Sequence, residues 1–431
     1  MVYLLYDVVA LLIGVLLVPY YLLRGVRYGK TRRGIRERLG FYDEARLRKV
    51  RNQRVIWVHA VSVGETRAAL PLLKALKQEF PRHTLLLTGV TETGRAVADE
   101  IDCVDLTIFF PFDLSWVVSR ALRLINPALV IIVETELWPN FVRLAHRRKI
   151  PLILVNGRIS DRSFPRYRRA RLLVAPVMQK VTRFAMQSPT DAERVQILGA
   201  AAPKVTVSGN LKFDIQGQGA ADYRLDQVRE EFHLPENLVV WAAGSTHPGE
   251  EEMVVDVYQQ LLSARPELVL LLVPRHPERT RSVAANLRKR GLSCRLRSEL
   301  TAHSTPLRAG EILLIDTLGE MLKIYALAEV VFVGGSLVAI GGHNVLEAAL
   351  MGKVAVFGPY MQNFREISEK VMACRAGVQV NDVEELFTQT LVLLNDPDLR
   401  SEMGRAGAKL IAANAGATAR TMQVVREVLR Y

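Results

Sequence analysis

Cysteine is scarce in this chain. There are three, Cys103, Cys294 and Cys374, in 431 residues, and no CxxC pair among them. That excludes a disulfide scaffold and a cysteine-rich zinc site, and it fits a reducing compartment. Two common nucleotide signatures are also missing. The sequence has no GxxxxGK(S/T) loop and no GxGxxG turn, which weighs against ATPase and NAD readings. It shows no DxD-type metal grip, no low-complexity tract and no repeat of solenoid period. What remains is ordinary globular composition, 49% hydrophobic and 23% charged, with length for two domains.

Positive charge is in excess, with a formal net charge of +13, but it is local. From Arg24 to Arg54 there are twelve basic and three acidic residues; from Arg143 to Arg171 there are ten and one. Each stretch is +9, which leaves the remainder at −5. Such patches suit nucleic acid or an anionic membrane. The first segment favours the membrane, and no aromatic-interleaved signature speaks for nucleic acid. Val2–Leu23 is a 22-residue apolar run whose only charge is Asp7. That is long enough to span as a helix. A cleaved signal peptide would want its positive charge before the run; here Arg24, Arg27, Lys30, Arg32 and Arg33 come after it. By the positive-inside rule the rest of the chain is cytoplasmic. A monotopic helix in the interface and a buried soluble helix are the competing readings.

Beyond Arg54, short apolar runs alternate with helix-length stretches. Strands are expected at Val55–Val58, Thr84–Leu87, Leu129–Val133 and Leu152–Val155, and again at Leu238–Ala242, Leu268–Val273, Ile312–Ile315, Val330–Val333 and Val354–Phe357. Continuous Val/Ile/Leu runs in this alternation imply parallel sheets covered on both faces. Gln216–Asp222 reads as the link between two Rossmann-like α/β domains facing a cleft. The expected segments are a membrane anchor at 1–23, a basic juxtamembrane stretch at 24–54, a first domain at 55–215, a linker at 216–236 and a second domain at 237–431. The last helix of the second domain has the option of packing back on the first.

Ligands of open α/β sheets bind beyond the carboxyl ends of strands, so those ends are where chemistry is sought. The first strand runs into HAVSVGE, with Glu65 at a strand-to-helix turn. A carboxylate there serves as an ordinary N-terminal helix charge or as a general base. The helical spacing of Thr66–Phe80 puts Pro71 in a first turn or at a kink, and His59 reads as a core histidine. The third apolar run ends in ETELWPN. Glu134 and Glu136 are costly there without a role, unless one pairs with Arg158 or His59. In the second half, GSTHPGE, PRHP, DTLGE, VGGS and GGHNVLE follow strands or open helices. Their glycines, Arg275 and helix N-termini suit a nucleotide phosphate, and Glu347 suits a ribose diol.

The motifs HAVSVGE, ETELWPN, NGRIS, GNLKFD, GSTHPGEE, VPRHPER, DTLGEM, FVGGSL and GGHNVLEAA, in this order over nearly the whole chain, resemble the 3-deoxy-D-manno-octulosonic-acid (Kdo) transferases of lipopolysaccharide synthesis. The resemblance implies a GT-B glycosyltransferase of the inner membrane of a Gram-negative bacterium. It would move Kdo from CMP-Kdo to a lipid A precursor, lipid IVA, with inversion and without metal or cofactor. By the same resemblance Glu65 is the base, and Glu134 and Lys212 stabilise the transition state. Pro274, Arg275, Leu318, Gly319, Glu320, Asn344, Val345, Leu346 and Glu347 hold CMP. Ala60 and Asn210 depart from the family's motifs without removing a chemical group. The alternatives are a membrane-attached transferase using a UDP-sugar and a non-catalytic nucleotide-binding adaptor. An adaptor has no need of Glu65, Glu134 and Lys212 together.

Overall fold

The computed structural model describes residues 6–8, 11–12, 34–214 and 223–429. They divide into two units, residues 1–214 with 414–431, and residues 215–413.

The first unit is built on β1 (Val55–His59), β2 (Thr84–Gly89), β3 (Leu106–Phe109), β4 (Leu129–Val133), β5 (Leu152–Gly157), β6 (Arg183–Met186) and β7 (Val205–Val207). All are parallel, in the order β3-β2-β1-β4-β5-β6-β7. β1 and β4 are buried at every position, so both faces of the sheet are covered. On one face Trp57, Ile132, Phe141 and Phe184 pack with helices α2 (Ser115–Ile125) and α3 (Pro139–Arg147). On the other, Val58, Ile131 and Val155 pack with α1 (Val63–Glu79) and with a helix from the far end of the chain, Ala417–Leu429.

The second unit repeats the plan with β8 (Val239–Thr246), β9 (Leu268–Pro274), β10 (Cys294–Leu296), β11 (Ile312–Leu314), β12 (Val330–Val333), β13 (Val354–Phe357) and β14 (Gly377–Gln379). The order β10-β11-β9-β8-β12-β13-β14 is again wholly parallel. Trp241, Tyr258, Leu270 and Phe332 form its core.

Several boundaries differ from those expected from sequence. The second domain does not run to 431, because residues 414–431 belong to the first unit. Asp214 ties them there: its carboxylate accepts hydrogen bonds from the Gly416 N–H at 2.7 Å and from the Thr418 N–H at 2.5 Å. Residues 34–54 are not a free juxtamembrane stretch, since Leu47 and Val50 are buried in the first core. Of the expected linker, residues 216–222 lie outside the described residues, while Val228, Phe232 and Leu234 are already buried. Helix α1 starts at Val63, so Pro71 sits in its interior. Ser62 caps the helix early, and the proline lacks the N–H that the Arg67 carbonyl would otherwise receive.

Most of the proposed anchor at 1–23 lies outside the described residues, and among those described no helix is long and apolar enough to cross a membrane. What is described makes a specific contact. Asp7 accepts from the Ser115 N–H at 3.0 Å and from the Asn140 side-chain amide at 2.7 Å. It thereby supplies the cap that Leu114 cannot give to α2. Asp113 similarly accepts from Asn140 N–H at 3.0 Å and Phe141 N–H at 2.8 Å, capping α3. Asn140, the last residue of ETELWPN, bonds to both carboxylates.

Candidate active site

In the first unit the chain leaves β1 at His59 and enters α1 through Ser62. The Ser62 hydroxyl accepts from the Glu65 N–H at 3.3 Å and donates to Glu65 Oε1 at 3.1 Å. Glu65 Oε2 accepts from the Val61 N–H at 2.7 Å. This is a capping box, shifted by one residue at its return bond. The helix-terminus role is therefore real, but it is not the whole of what surrounds Glu65. Burial first, and then the charge of Glu134, push its pKa up to about 7, with a further push from Glu136. The hydrogen bonds from Val61 and Ser62 oppose that rise. Glu136 is itself raised, by burial and then by Glu134.

Glu134 stands at the end of β4, the strand beside β1, with φ of 60°. A non-glycine residue held in the left-handed region costs of the order of 1–3 kcal/mol and persists where the surroundings fix it. Among the described residues no ion pair joins Glu134 or Glu136 to Arg158 or His59. His59 is a core residue. It is stacked on Phe110 at 3.8 Å and bonded through Nδ1 to the Thr88 hydroxyl at 3.1 Å, and burial pushes its pKa down to about 3.

Lys212 rides on a 3-10 turn, Leu211–Phe213, that packs against α1. The turn is held by amides. Asn156 accepts from Leu211 N–H at 2.9 Å and Asn210 from Lys212 N–H at 3.0 Å. Gln187 links them, donating to the Asn156 carbonyl at 2.9 Å and accepting from Asn210 at 3.1 Å. Asn210, a departure from the family motif, is thus the cap of the lysine's turn. Asn156, like Glu134, has a positive φ, 52°. The carboxyl end of this sheet therefore carries three mutually repelling carboxyl groups, with the lysine's turn against the helix that bears Glu65.

The second unit departs from its sequence reading in one important respect. The glycine turn Gly334-Gly335-Ser336 after β12 was expected to offer N–H groups to a nucleotide. Those groups are already used by Glu250, which opens α4 (Glu250–Ala264). Its fully buried carboxylate accepts from Gly335 N–H at 2.7 Å, Leu337 N–H at 3.0 Å, Ser336 N–H at 3.1 Å and His247 N–H at 3.2 Å. A Cβ on Gly334 would stand 2.7 Å from Glu250 Oε2, which is why the turn needs glycine there. Burial raises this carboxyl's pKa and the four N–H donors oppose the rise.

Basic groups gather next to that turn. Pro274 ends β9, and Arg275 follows with its N–H on the Thr246 carbonyl at 2.9 Å. His247 lies within 5.9 Å of His276, centroid to centroid, and meets His343 Nε2 to Nε2 at 2.9 Å. Near the end of β8, one residue before its last, Ser245 has φ of 59°. The sequence sets His247, in GSTHPGE, and His343, in GGHNVLE, among the groups offered to an anion or nucleotide, but it does not bring the two together. Their only common sign is that each follows a strand end or glycine turn, 96 residues apart.

The other residues assigned to CMP are placed unevenly. Leu318 is 82% exposed, beside Gly319. Glu320 is engaged by Arg297 at 2.8 Å and by the Thr317 hydroxyl. The helix after it, Met321–Leu327, packs on Leu346–Leu350, so the two segments are neighbours. Asn344 accepts from the Leu346 N–H at 3.2 Å and donates to Glu347 at 3.5 Å. Val345 and Leu346 are wholly buried, main chain included, and the Leu346 N–H is taken by Asn344, so neither offers an accessible atom to a ligand in this structure. Among the described residues no group of three or more His, Cys, Asp or Glu side chains is arranged to hold a metal ion.

Comparison with known proteins connects the two units. A sequence model of the 3-deoxy-D-manno-octulosonic-acid transferase (kdotransferase) family matches residues 33–215. A 3-deoxy-D-manno-octulosonic acid transferase of Haemophilus influenzae is 32% identical over 410 residues, 94% of either chain. The chain belongs to the Kdo transferase family. A Kdo transferase of Bordetella pertussis is 33% identical over 87% of either chain. Among solved structures, a glycosyltransferase from Rickettsia africae superposes with a TM-score of 0.56 at 14% identity, over 88% of this chain and 99% of its own. A UDP-GlcNAc 2-epimerase from Neisseria meningitidis does so with a TM-score of 0.56 at 13%, over 88% and 99%. At such identities these show the fold alone: two parallel-sheet α/β domains resembling GT-B glycosyltransferases.

Proposed function

We propose that this family member transfers Kdo from CMP-Kdo to a lipid A precursor of the lipid IVA type, with inversion and with Glu65 as general base. The observation that carries the reading is the Glu65 carboxyl, raised to about 7 at the end of β1 by burial and by Glu134. A base is most effective with a pKa near the working pH. The acceptor hydroxyl gives its proton to Glu65 as its oxygen bonds to the anomeric carbon, and the electron pair of the breaking C–O bond leaves on the CMP phosphate. Lys212, whose turn packs on α1, supplies positive charge to an edge that otherwise holds three carboxyl groups. Arg275 and the main chain around Asn344 and Glu347 take CMP, meeting the charge that develops on the phosphate.

A lipid-borne acceptor is supported by the surface of the first unit. Helices Phe164–Arg169 and Arg171–Met178 expose Leu172 at 91% and Leu173 at 61% beside Arg166, Arg168, Arg169 and Arg171. Apolar side chains next to arginines suit the headgroup region of an anionic leaflet. On this reading the enzyme works at the cytoplasmic face of the inner membrane, held there by its N-terminal segment.

The test is turnover of CMP-Kdo with a tetra-acylated lipid A precursor, read by product mass. A mass increase of one or more Kdo units is expected. Turnover of a UDP-sugar in its place, or protection of the second unit against heat by UDP and not by CMP, would overturn the donor assignment.

A further inference from the structure

The apolar run Val2–Leu23 carries one charge, Asp7. A carboxylate among apolar side chains is costly and persists where it is hydrogen-bonded. This one is bonded three times. Oδ1 accepts from the Ser115 N–H at 3.0 Å and from Asn140 Nδ2 at 2.7 Å, and Oδ2 accepts from the Ser115 hydroxyl at 2.5 Å. The residue before it, Tyr6, is hydrogen-bonded to Asp113. The start of the chain is thus keyed into the point where α2 and α3 begin.

Asn140 is the partner with consequences. It is fully buried and its side chain is fully used. Its second amide hydrogen goes to the Asp113 carbonyl at 2.8 Å, and its oxygen accepts from Arg143 at 3.0 Å. An amide nitrogen has two hydrogens to place, so removing Asp7 takes the acceptor from one of them at a buried position.

Asn140 closes a short segment whose other end is Glu134. At that end the Glu134 N–H donates to the Val155 carbonyl at 2.9 Å, and the Thr135 hydroxyl donates to the Arg158 carbonyl. Between the ends the Leu137 N–H returns to the Thr135 carbonyl at 2.9 Å. The segment is therefore held at both ends and folded on itself in the middle. Glu134 keeps its φ of 60° within it, a conformation that lasts where the surroundings fix it. The far end of that fixture is the junction that Asp7 completes.

We propose that Asp7 is a positioning residue of the active site: by holding Asn140 it fixes the ETELWPN segment and, through it, Glu134. This rests on the reading of Glu134 as part of the transferase site. The experiment uses the full chain, with acceptor dispersed in detergent so that attachment to a bilayer gives no advantage. Asp7→Ala should lower kcat by about 10- to 100-fold, the scale on which small misplacements act. Asp7→Asn retains one acceptor oxygen for Ser115 and Asn140 and should recover part of that loss. In a Glu134→Gln background Asp7→Ala should cost at most about twofold more, because residues acting as a unit are not additive. Hydrogen–deuterium exchange over residues 134–140 should be faster in Asp7→Ala, a change that needs no turnover to be seen. Losses that multiply in the double variant would mean that Asp7 does not act through Glu134. A lower melting temperature with unchanged kcat and unchanged exchange would make Asp7 a helix cap and nothing more. A higher KM confined to acceptor in vesicles would leave it a role in attachment alone. Each of these three overturns the proposal, and Asp7→Asn carries the test if Asp7→Ala does not fold. No turnover of CMP-Kdo by the wild-type enzyme would overturn the proposed function instead, and the exchange rates would then decide the tether by themselves.

Discussion

Each unit places a glutamate in the first turn of the helix that follows its leading strand: Glu65 after β1 and Glu250 after β8. Both strands are interior, β1 third from the β3 edge of its sheet and β8 the central strand of the other. Glu250 is fully buried and takes four N–H bonds, so its charge is spent on holding the turn after β12. Glu65 is half-buried, takes one N–H and one hydroxyl bond, and faces two further carboxyl groups. The difference shows that position after a strand does not make a catalytic carboxylate. What sets Glu65 apart, and supports its proposed role, is a shortage of donors combined with nearby like charge, which leaves the proton affinity high and the oxygen atoms available.

The sharpest break of this comparison is Glu65→Gln. It should keep the fold and CMP binding and reduce kcat by about 10²–10⁴-fold, read in single-turnover assays. Near-normal turnover would move the base to Glu134 or Glu136.

Glu250→Gln should do the reverse and lower stability. Each Glu250 oxygen accepts two N–H groups, so an amide NH₂ must face two donors whichever way it turns. Breaking such a buried charged network costs about 3–5 kcal/mol, measurable as a lower denaturant midpoint of the second unit. An unchanged midpoint would mean the turn has another support.

Glu134→Gln sharpens the electrostatic half of the contrast. Glu65 must be ionised to act, so activity should rise with pH through about 7. Removing the Glu134 charge lowers the Glu65 pKa, so the acid limb of the kcat/KM profile should move to lower pH. A limb that stays in place would leave burial and Glu136 as the causes. The same raised pKa has a stability sign. The folded state binds more proton than the unfolded chain, so Glu65 makes folding less favourable as pH climbs from the ordinary glutamate value towards 7.

The smallest effect belongs to the outer surface. Reversing Arg166 and Arg169 to glutamate should raise the KM for acceptor in anionic vesicles, most at low salt, and leave the KM for CMP-Kdo unchanged. Equal effects on both substrates would point to damage of the fold instead.

The interior strands were legible because β1, β4, β5, β9 and β12 are each mostly Val, Ile and Leu in a continuous apolar run. The three-residue edge strands β10 and β14 were not, since neither is fully buried and neither has an apolar run to announce it. The Ser62–Glu65 capping box was readable as a spacing. The positive φ angles of Glu134, Asn156 and Ser245 were not, because none is glycine and the strain is imposed by the surrounding packing. Contacts between distant residues were also hidden. Asp7 meets Asn140 across 133 positions, and the glycine turn after β12 looked like a phosphate cradle until Glu250 was found filling it.

The tie between Asp214 and the amides of Gly416 and Thr418 means that the first unit's chain is interrupted and resumes at nearly the same point in space. The second unit is therefore a guest inserted into a host whose two cut ends already touch. A short connector from Asp214 to Asn414 should close the host without its guest. The helix Ala417–Leu429 would still cover its face of the sheet, and residues 215–413 would be free to be made as a separate protein.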